Sequence, residues 1–247
     1  MHTDEERHRA RARQLAAESV AAGDATGWFE RLYAEAEAEA GVTVVPWADG
    51  LPNPHLVEWA DNVELDGTRS DGAARRALVV GCGLGYDAEF LAGRGFAVTA
   101  FDLSPTAIAA AKRLYGDSPV SYLAADLLDL PAAWADAFDL VLDAYTVQPL
   151  YGAVGGRALA ALPGPVAPGG SLLVLSRATE EESPVRDPAL MPWPLTPAEL
   201  SRAGGPLRAH RIEKYADPHD PARLHWRAEF RRGLTPADQS AAAAATV

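Results

Sequence analysis

Cysteine, lysine and long apolar runs are scarce in this sequence of 247 residues. The single cysteine, Cys82, excludes an internal disulfide framework and a zinc site built from several cysteines. No apolar run approaches the roughly 20 residues that a membrane-spanning helix needs. The N-terminus is too acidic and polar for a secretory signal peptide. We therefore expect a cytoplasmic protein that does not bind membranes.

Basic side chains are outnumbered, with 22 Lys and Arg against 34 Asp and Glu, so the formal net charge is −12 at pH 7. Because no basic stripe reverses this excess locally, a nucleic-acid partner is not expected. The later histidines, His210, His219 and His225, do not have the spacing of metal ligands. The sequence therefore predicts neither nucleic-acid binding nor a metal site.

Residues 1–66 are predicted to form an N-terminal helical extension that covers a site as a lid. Residues 4–22 and 28–40 favour helix by composition. Asn53 and Pro54 then predict the start of a third helix, since Asn caps a helix and Pro suits its first position.

Residues 67–233 are predicted to form an α/β domain, because short apolar runs alternate with helical segments there. This alternation indicates a parallel sheet that is covered on both faces. Residues 207–215 and 224–231 are predicted to pair as antiparallel strands at the sheet edge, and residues 234–247 to form a disordered tail. The predicted parallel strands are Ala77–Val80, Ala97–Phe101, Val120–Leu123, Phe138–Leu142 and Ser171–Leu175.

Three alternate glycines, Gly81, Gly83 and Gly85, separate the first predicted strand from a helix. Glycines permit a tight turn and let a ligand approach bare backbone at the N-terminus of a helix. Tyr86 stands where a dinucleotide-binding loop has its third glycine, and the Gly-Lys-Ser/Thr of a Walker A loop is absent. The pattern therefore favours a ligand without a pyrophosphate, such as S-adenosylmethionine.

Two acidic residues follow the next two predicted strands. Asp102 lies 21 positions after Gly81, where a carboxylate can accept hydrogen bonds from both hydroxyls of a ribose. Asp126 and Leu127 follow the third strand and can contact an adenine. Each residue alone could be a turn residue or a helix cap. Together, at the ends of successive parallel strands, they predict a nucleoside site.

Residues 77–177 resemble the class I S-adenosylmethionine-dependent methyltransferases. The segment from Gly81 to Asp87, with Leu91-Ala92 behind it, resembles the thiopurine and halide/thiol methyltransferase group in particular, and so do residues 28–32, 46–54 and 224–231. The resemblance implies a Rossmann-like, seven-stranded, mostly parallel sheet with helices on both faces, an antiparallel edge strand pair and an N-terminal helical extension. It also implies that S-adenosylmethionine is the cofactor.

The resemblance implies that the three glycines face the methionine part of the cofactor and that Asp87 lies near its amino group. It places Asp102 at the ribose and Asp126 at the adenine, with Trp28 and Trp47 closing the pocket. The predicted cofactor-binding residues are Trp28, Trp47, Gly81, Cys82, Gly83, Gly85, Asp87, Asp102, Leu103, Asp126, Leu127 and Asp143.

The residues that contact the methyl acceptor are predicted from aromatic side chains in loops, from the end of the fourth strand and from the resemblance. Arg157 falls where the subgroup often has an arginine near the acceptor. The predicted set is Tyr33, Tyr145, Arg157 and Trp193, and the sequence identifies no catalytic base.

The predicted function is methyl transfer to a small molecule, with a thiol or a similar soft nucleophile as the acceptor. Two alternatives stay open, an O- or N-methyltransferase of a small metabolite and an S-adenosylmethionine-binding protein without catalysis. We expect a monomer or a weak homo-oligomer.

Overall fold

The computed structural model describes residues 4–39, 45–69, 71–150, 152–182, 186–187, 191–217 and 220–234. Three helices precede the sheet, α1 (Asp4–Ala21), α2 (Trp28–Glu39) and α3 (Pro54–Asn62). The following elements in the described residues are β1 (Arg76–Val80), α4 (Tyr86–Gly93), β2 (Ala97–Asp102), α5 (Pro105–Leu114), β3 (Ser121–Ala124), β4 (Phe138–Ala144), α6 (Gly152–Ala161), β5 (Val166–Ala178), α7 (Pro197–Gly204), β6 (Arg208–Ala216) and β7 (Leu224–Arg231).

The strands form one sheet in the order β3-β2-β1-β4-β5-β7-β6. The first five strands in this order are parallel, whereas β7 runs antiparallel to both β5 and β6. This topology confirms the predicted seven-stranded, mostly parallel sheet with an antiparallel pair at one edge. Because β7 is reversed, its first residues lie at the same edge of the sheet as the last residues of β5.

Alternate residues of the central strands pack into two hydrophobic cores, one on each face of the sheet. Leu78 and Val80 of β1 face the core that includes Leu159 of α6. Ala77 and Val79 face the other core, which includes Leu91 of α4. Burial of both faces explains why the sequence shows continuous apolar runs here rather than an alternation of apolar and polar residues.

The third predicted helix begins where its sequence indicates. Oδ1 of Asn53 accepts a hydrogen bond from the amide of His55 at 2.9 Å, and Pro54 takes the first helical position. The disordered tail was predicted for residues 234–247, of which the structure describes Leu234 alone. That prediction therefore falls almost wholly outside the described residues.

Helix α1 packs on α2, and α2 packs on α5. Side chains of the three helices form a third hydrophobic cluster with Trp193. Glu30 of α2 attaches this layer to the start of α5. Its carboxylate accepts hydrogen bonds from the hydroxyls of Ser104 and Thr106, each at 2.6 Å, and from the Thr106 amide at 3.3 Å. Although burial raises the pKa of Glu30, these hydrogen bonds outweigh it and leave the pKa lowered. The N-terminal helices are therefore held on the domain by a charged contact as well as by apolar packing.

We expect Glu30→Ala to lower the free energy of unfolding by roughly 1.5–3 kcal/mol, because hydrogen bonds to a charged group are lost. Glu39→Ala, at the exposed end of the same helix, is the matched control and should change it by less than about 0.5 kcal/mol. Urea unfolding measures both. Equal effects of the two substitutions would contradict the role given to Glu30.

Candidate active site

The carboxyl ends of the parallel strands meet below the N-terminal helices, and a cavity of about 760 Å³ lies between them. Its lining includes residues from the ends of β1, β2 and β4, from the segments after β1 and β3, and from α1 and α2. This is the edge at which open α/β sheets bind ligands. The cavity lies within the range of roughly 300–1,000 Å³ that is usual for small-molecule sites.

The glycine turn after β1 forms one wall of the cavity. Gly81 and Gly85 have positive φ angles of 59° and 92°, which disfavour residues with a side chain. A Cβ atom at Gly81 would also overlap the side chain of Thr146, and one at Gly85 would overlap the hydroxyl of Tyr122. The local backbone therefore requires glycine at both positions, and Gly81 and Gly83 present main chain to the cavity.

Asp102 lies at the end of β2 with 7% of its surface exposed and faces the same cavity. Its Oδ2 accepts a hydrogen bond from the amide of Gly83 and its Oδ1 from the amide of Ser104, both at 2.9 Å. Burial raises the pKa of Asp102, while these amide hydrogen bonds act to lower it. Each carboxylate oxygen can accept a further hydrogen bond, so the group can bind two neighbouring hydroxyls of a ribose.

The adenine end of the predicted site follows β3. Asp126 and Leu127 both line the cavity. Oδ1 of Asp126 also accepts a hydrogen bond from the Leu128 amide at 2.8 Å and so caps a short 3-10 turn. Asp126 therefore caps a turn and also faces the cavity.

Asp87, in the first turn of α4, connects that helix to the loop before α3. Its Oδ1 accepts a hydrogen bond from the Asn53 amide at 2.6 Å. Burial raises the pKa of Asp87 to about 6, and the Asn53 amide partly offsets this.

Cys82 also lines the cavity, and burial raises the pKa of its thiol well above the usual range. The thiol is therefore protonated near neutral pH, which disfavours Cys82 as a nucleophile.

Three aromatic side chains cover the glycine turn. Trp28 is 1% exposed and packs edge-on against Trp47, with 6.2 Å between ring centroids. Nε1 of Trp47 donates a hydrogen bond to Oη of Tyr33 at 2.7 Å. The three side chains line the cavity, and Tyr33 lies close to Gly83.

The other end of the cavity is polar and includes residues that the sequence did not indicate. Tyr145 follows β4, and its hydroxyl lies 2.8 Å from Nδ1 of His225, near the start of β7. His225 of β7 lies opposite Arg177 of β5 in the antiparallel pair. Tyr145, Arg177 and His225 all line the cavity. The predicted hairpin already placed His225 at one end of the edge pair. The antiparallel pairing of β7 with β5, which brings it into the site, is a long-range contact that the sequence does not reveal.

Four predicted site residues do not line the cavity. Gly85 precedes α4 and lies against Tyr122, and Arg157 of α6 is exposed to solvent. Trp193 is buried in the cluster with α1 and α2, where its Nε1 donates to the carbonyl of Asp187 at 3.0 Å. Asp143 is fully buried in β4, and burial raises its pKa to about 7. The other predicted residues line the cavity, namely Trp28, Tyr33, Trp47, Gly81, Cys82, Gly83, Asp87, Asp102, Leu103, Asp126, Leu127 and Tyr145.

These features fit S-adenosylmethionine. The glycine turn leaves room that a side chain would fill, Asp102 has acceptor capacity for a ribose, and acidic groups suit the positively charged sulfonium and amino groups of the cofactor. Residues 78–174 match the family model described as a methyltransferase domain. The chain belongs to the class I S-adenosylmethionine-dependent methyltransferases, and S-adenosylmethionine is its cofactor.

Within that class, the chain is 32% identical over 179 residues to a probable thiol methyltransferase 2 of Arabidopsis thaliana, covering 63% of this chain and 69% of the relative. A tRNA U34 carboxymethyltransferase of Methylococcus capsulatus is 28% identical over 223 residues, and the match covers 72% of this chain and 67% of that relative. A solved structure described as "Conversion of a Disulfide Bond into a Thioacetal Group during Echinomycin Biosynthesis" matches with a TM-score of 0.60 and 25% identity, covering 81% of this chain and 89% of that chain.

None of the helices in the described part of the chain combines the length and apolar character needed to cross a membrane. Among the same residues, no group of three or more His, Cys, Asp or Glu side chains is placed to hold a metal ion.

We expect Gly85→Ala to lower the free energy of unfolding by about 2 kcal/mol or more, because the new methyl group meets Tyr122 and the backbone is strained. Gly93→Ala is the matched control, since Gly93 ends the adjacent α4 with open space around its Cα. The control should be neutral or stabilising by up to about 1 kcal/mol. Chemical denaturation measures the free energy of unfolding of both variants. Equal values for the two would contradict the requirement for glycine at position 85.

We expect Asp102→Ala to weaken the binding of S-adenosylhomocysteine by roughly 10- to 100-fold, which corresponds to the roughly 1.5–3 kcal/mol of hydrogen bonds to a charged group. Titration calorimetry measures this. Asp117→Ala, at an exposed position beyond α5, serves as the control and should bind as the parent does. Unchanged affinity in Asp102→Ala would mean that the ribose binds elsewhere.

Proposed function

We propose that this enzyme transfers the methyl group of S-adenosylmethionine to the sulfur of a small-molecule thiol. The observation that carries the proposal is the division of one covered cavity into two chemically different ends. The glycine turn and Asp102 line the end suited to the cofactor, and Tyr145, Arg177 and His225 line the other end. A methyl acceptor bound at the second end would share the cavity with the cofactor.

The cover over the cavity limits the size of the acceptor. Helices α1 and α2 and the loop that carries Trp47 all contribute to its lining, so the site is enclosed from the N-terminal side. We propose that residues 1–66 act as a lid on the domain formed by residues 67–233. A volume of about 760 Å³ suits the cofactor together with a small acceptor and not a macromolecule.

Arginine side chains at the acceptor end favour an acceptor that reacts as an anion. Nε of Arg13 donates to the carbonyl of Met191 at 3.2 Å, and Nη1 of Arg177 donates to the neighbouring carbonyl of Pro192 at 3.0 Å. Burial lowers the pKa of Arg177, and the positive charges of Arg223 and Arg13 lower it further. Three guanidinium groups therefore share this region, and nearby positive charge stabilises a thiolate over a thiol.

The comparisons support sulfur as the accepting atom. The Arabidopsis relative is a probable thiol methyltransferase, and the matching solved structure concerns the conversion of a disulfide bond into a thioacetal group. The relative that acts on tRNA is less similar, and the net charge of −12 and the covered cavity both disfavour a nucleic-acid acceptor.

The contribution of the protein to the reaction is enclosure and alignment. When bound, S-adenosylmethionine supplies a methyl group on a positively charged sulfur. Asp102 and the glycine turn would hold the nucleoside, while the rings of Trp28 and Trp47 exclude water from the cavity. Because the charge of the sulfonium is lost as the methyl group leaves, exclusion of water favours the transition state. Alignment of the two sulfur atoms with the methyl carbon can lower the barrier by as much as about 7–11 kcal/mol.

We expect a panel of small thiols, iodide, phenols and amines to separate the candidate functions when S-adenosylhomocysteine formation is measured. The proposal requires the highest kcat/KM with a thiol. Methylation of phenols or amines without thiols would favour an O- or N-methyltransferase instead. Cofactor binding without turnover on any acceptor would favour a protein that binds S-adenosylmethionine without catalysis.

We further propose that the enzyme works in the cytoplasm as a monomer or a weak homo-oligomer. Sedimentation of the purified protein tests the second point, since a stable oligomer that persists on dilution would contradict it.

A further inference from the structure

We infer that Tyr145, His225 and Asp217 form a relay that removes the proton of the methyl acceptor. This inference rests on the proposed function, because it concerns the thiol that binds at the same end of the cavity. The sequence indicated no base for this reaction, and the relay supplies one from three separate segments of the chain.

Tyr145 is the member that meets the acceptor. It follows β4 at the carboxyl edge of the sheet and lines the cavity. Its backbone has a positive φ of 60°, which is uncommon for a bulky residue and strains the chain at this position. Burial raises the pKa of the Tyr145 hydroxyl, so the group is protonated and can donate a hydrogen bond.

His225 accepts that hydrogen bond. Its Nδ1 lies 2.8 Å from the Tyr145 hydroxyl, and its Nε2 lies 3.4 Å from Oδ2 of Asp217. The Asp217 contact is at ion-pair distance and is not a formed hydrogen bond. Because a carboxylate can only accept, we infer that the proton of the neutral ring lies on Nε2, on the side of Asp217. This tautomer leaves the Nδ1 lone pair free to receive a proton from Tyr145.

The surroundings of His225 keep its ring neutral before the reaction. Burial lowers the pKa of His225, the carboxylate of Asp217 raises it, and the positive charges of Arg177 and Arg223 lower it again, with a lowered pKa as the result. Burial likewise lowers the pKa of the neighbouring His55, to about 4. A neutral imidazole at neutral pH is a competent base.

The titratable and charged groups that face His225 come from five parts of the chain. They are His55 of α3, Tyr145 after β4, Arg177 of β5, Tyr215 of β6, and Asp217 and Arg223 of the loop between β6 and β7.

The transfer step balances with these groups alone. The acceptor sulfur forms a bond to the methyl carbon, and the electron pair of the bond that breaks stays on the cofactor sulfur. The proton of the acceptor thiol passes to the oxygen of Tyr145 as the proton of that hydroxyl moves to Nδ1 of His225. The resulting imidazolium lies beside Asp217, and its proton is later lost to water. Tyr145 is thus the catalytic residue, and His225 and Asp217 act through it.

Comparison of a thiol with iodide tests the relay, because iodide accepts a methyl group but carries no proton. We expect Tyr145→Phe and His225→Gln to lower kcat/KM for the thiol by about 100-fold or more, the usual minimum for general base catalysis. Transfer to iodide should fall far less than transfer to the thiol in both variants, because iodide has no proton to lose. Equal losses with the two acceptors, or no loss with the thiol, would overturn the relay.

Matched controls and a binding measurement identify which claim fails. Tyr115 and His210 do not line the cavity. The control variants Tyr115→Phe and His210→Gln should therefore keep the parent rates with both acceptors. Retained binding of S-adenosylhomocysteine by Tyr145→Phe and His225→Gln shows that the site is folded. If the parent protein itself transfers no methyl group to any thiol, the proposed function fails rather than the relay.

Nitrogen-15 NMR of the histidine rings gives a readout that needs no turnover. We expect the His225 ring, identified by the signal absent from His225→Gln, to carry its proton on Nε2 at neutral pH. Asp217→Asn should lower the pKa of His225 further, because the neighbouring negative charge is removed. A proton on Nδ1 in the parent, or a pKa that rises in Asp217→Asn, would contradict the relay.

Discussion

The carboxylate of Asp102 is the contact on which the site depends. It ends β2, yet it accepts one hydrogen bond from the glycine turn after β1 and one from the start of α5 through Ser104. One buried carboxyl group thus connects the end of β2 with the glycine turn after β1 and with the start of α5. A buried carboxylate is costly unless hydrogen bonds satisfy it, and the two amides supply part of that compensation. A ribose would supply the rest.

Much of the fold could be predicted because its signals are local. The apolar runs indicated the parallel strands, since each is buried on both faces, and Asn53-Pro54 marked the start of α3 by capping chemistry alone. Several residues that line the proposed nucleoside end of the cavity were also predictable. Gly81, Asp102 and Asp126 lie at strand ends, and in a parallel sheet all such ends meet at one edge.

The acceptor end could not be predicted in the same way, because it depends on contacts between distant segments. His225 enters the site because β7 pairs with β5 in reverse, and nothing near His225 in the sequence records that partner. Arg157 has the charge expected of an acceptor contact, but the helical rotation of α6 turns it to solvent and turns Ala158 toward the cavity. Trp193 was expected in the cavity, yet packing against the N-terminal helices buries it beside the site. The rotation of α6, the pairing of β7 with β5 and packing on the N-terminal helices determine where these three side chains lie. None of these contacts can be read from the composition of the sequence.

A crystal structure of the protein with S-adenosylhomocysteine tests the central claim most directly. We expect the ribose hydroxyls to lie within hydrogen-bonding distance of Asp102, the adenine to contact Leu127 and the amino acid part to follow the glycine turn below Trp28. The sulfur should face the end of the cavity that holds Tyr145. A nucleoside bound elsewhere, or one whose sulfur points away from Tyr145, would contradict the account.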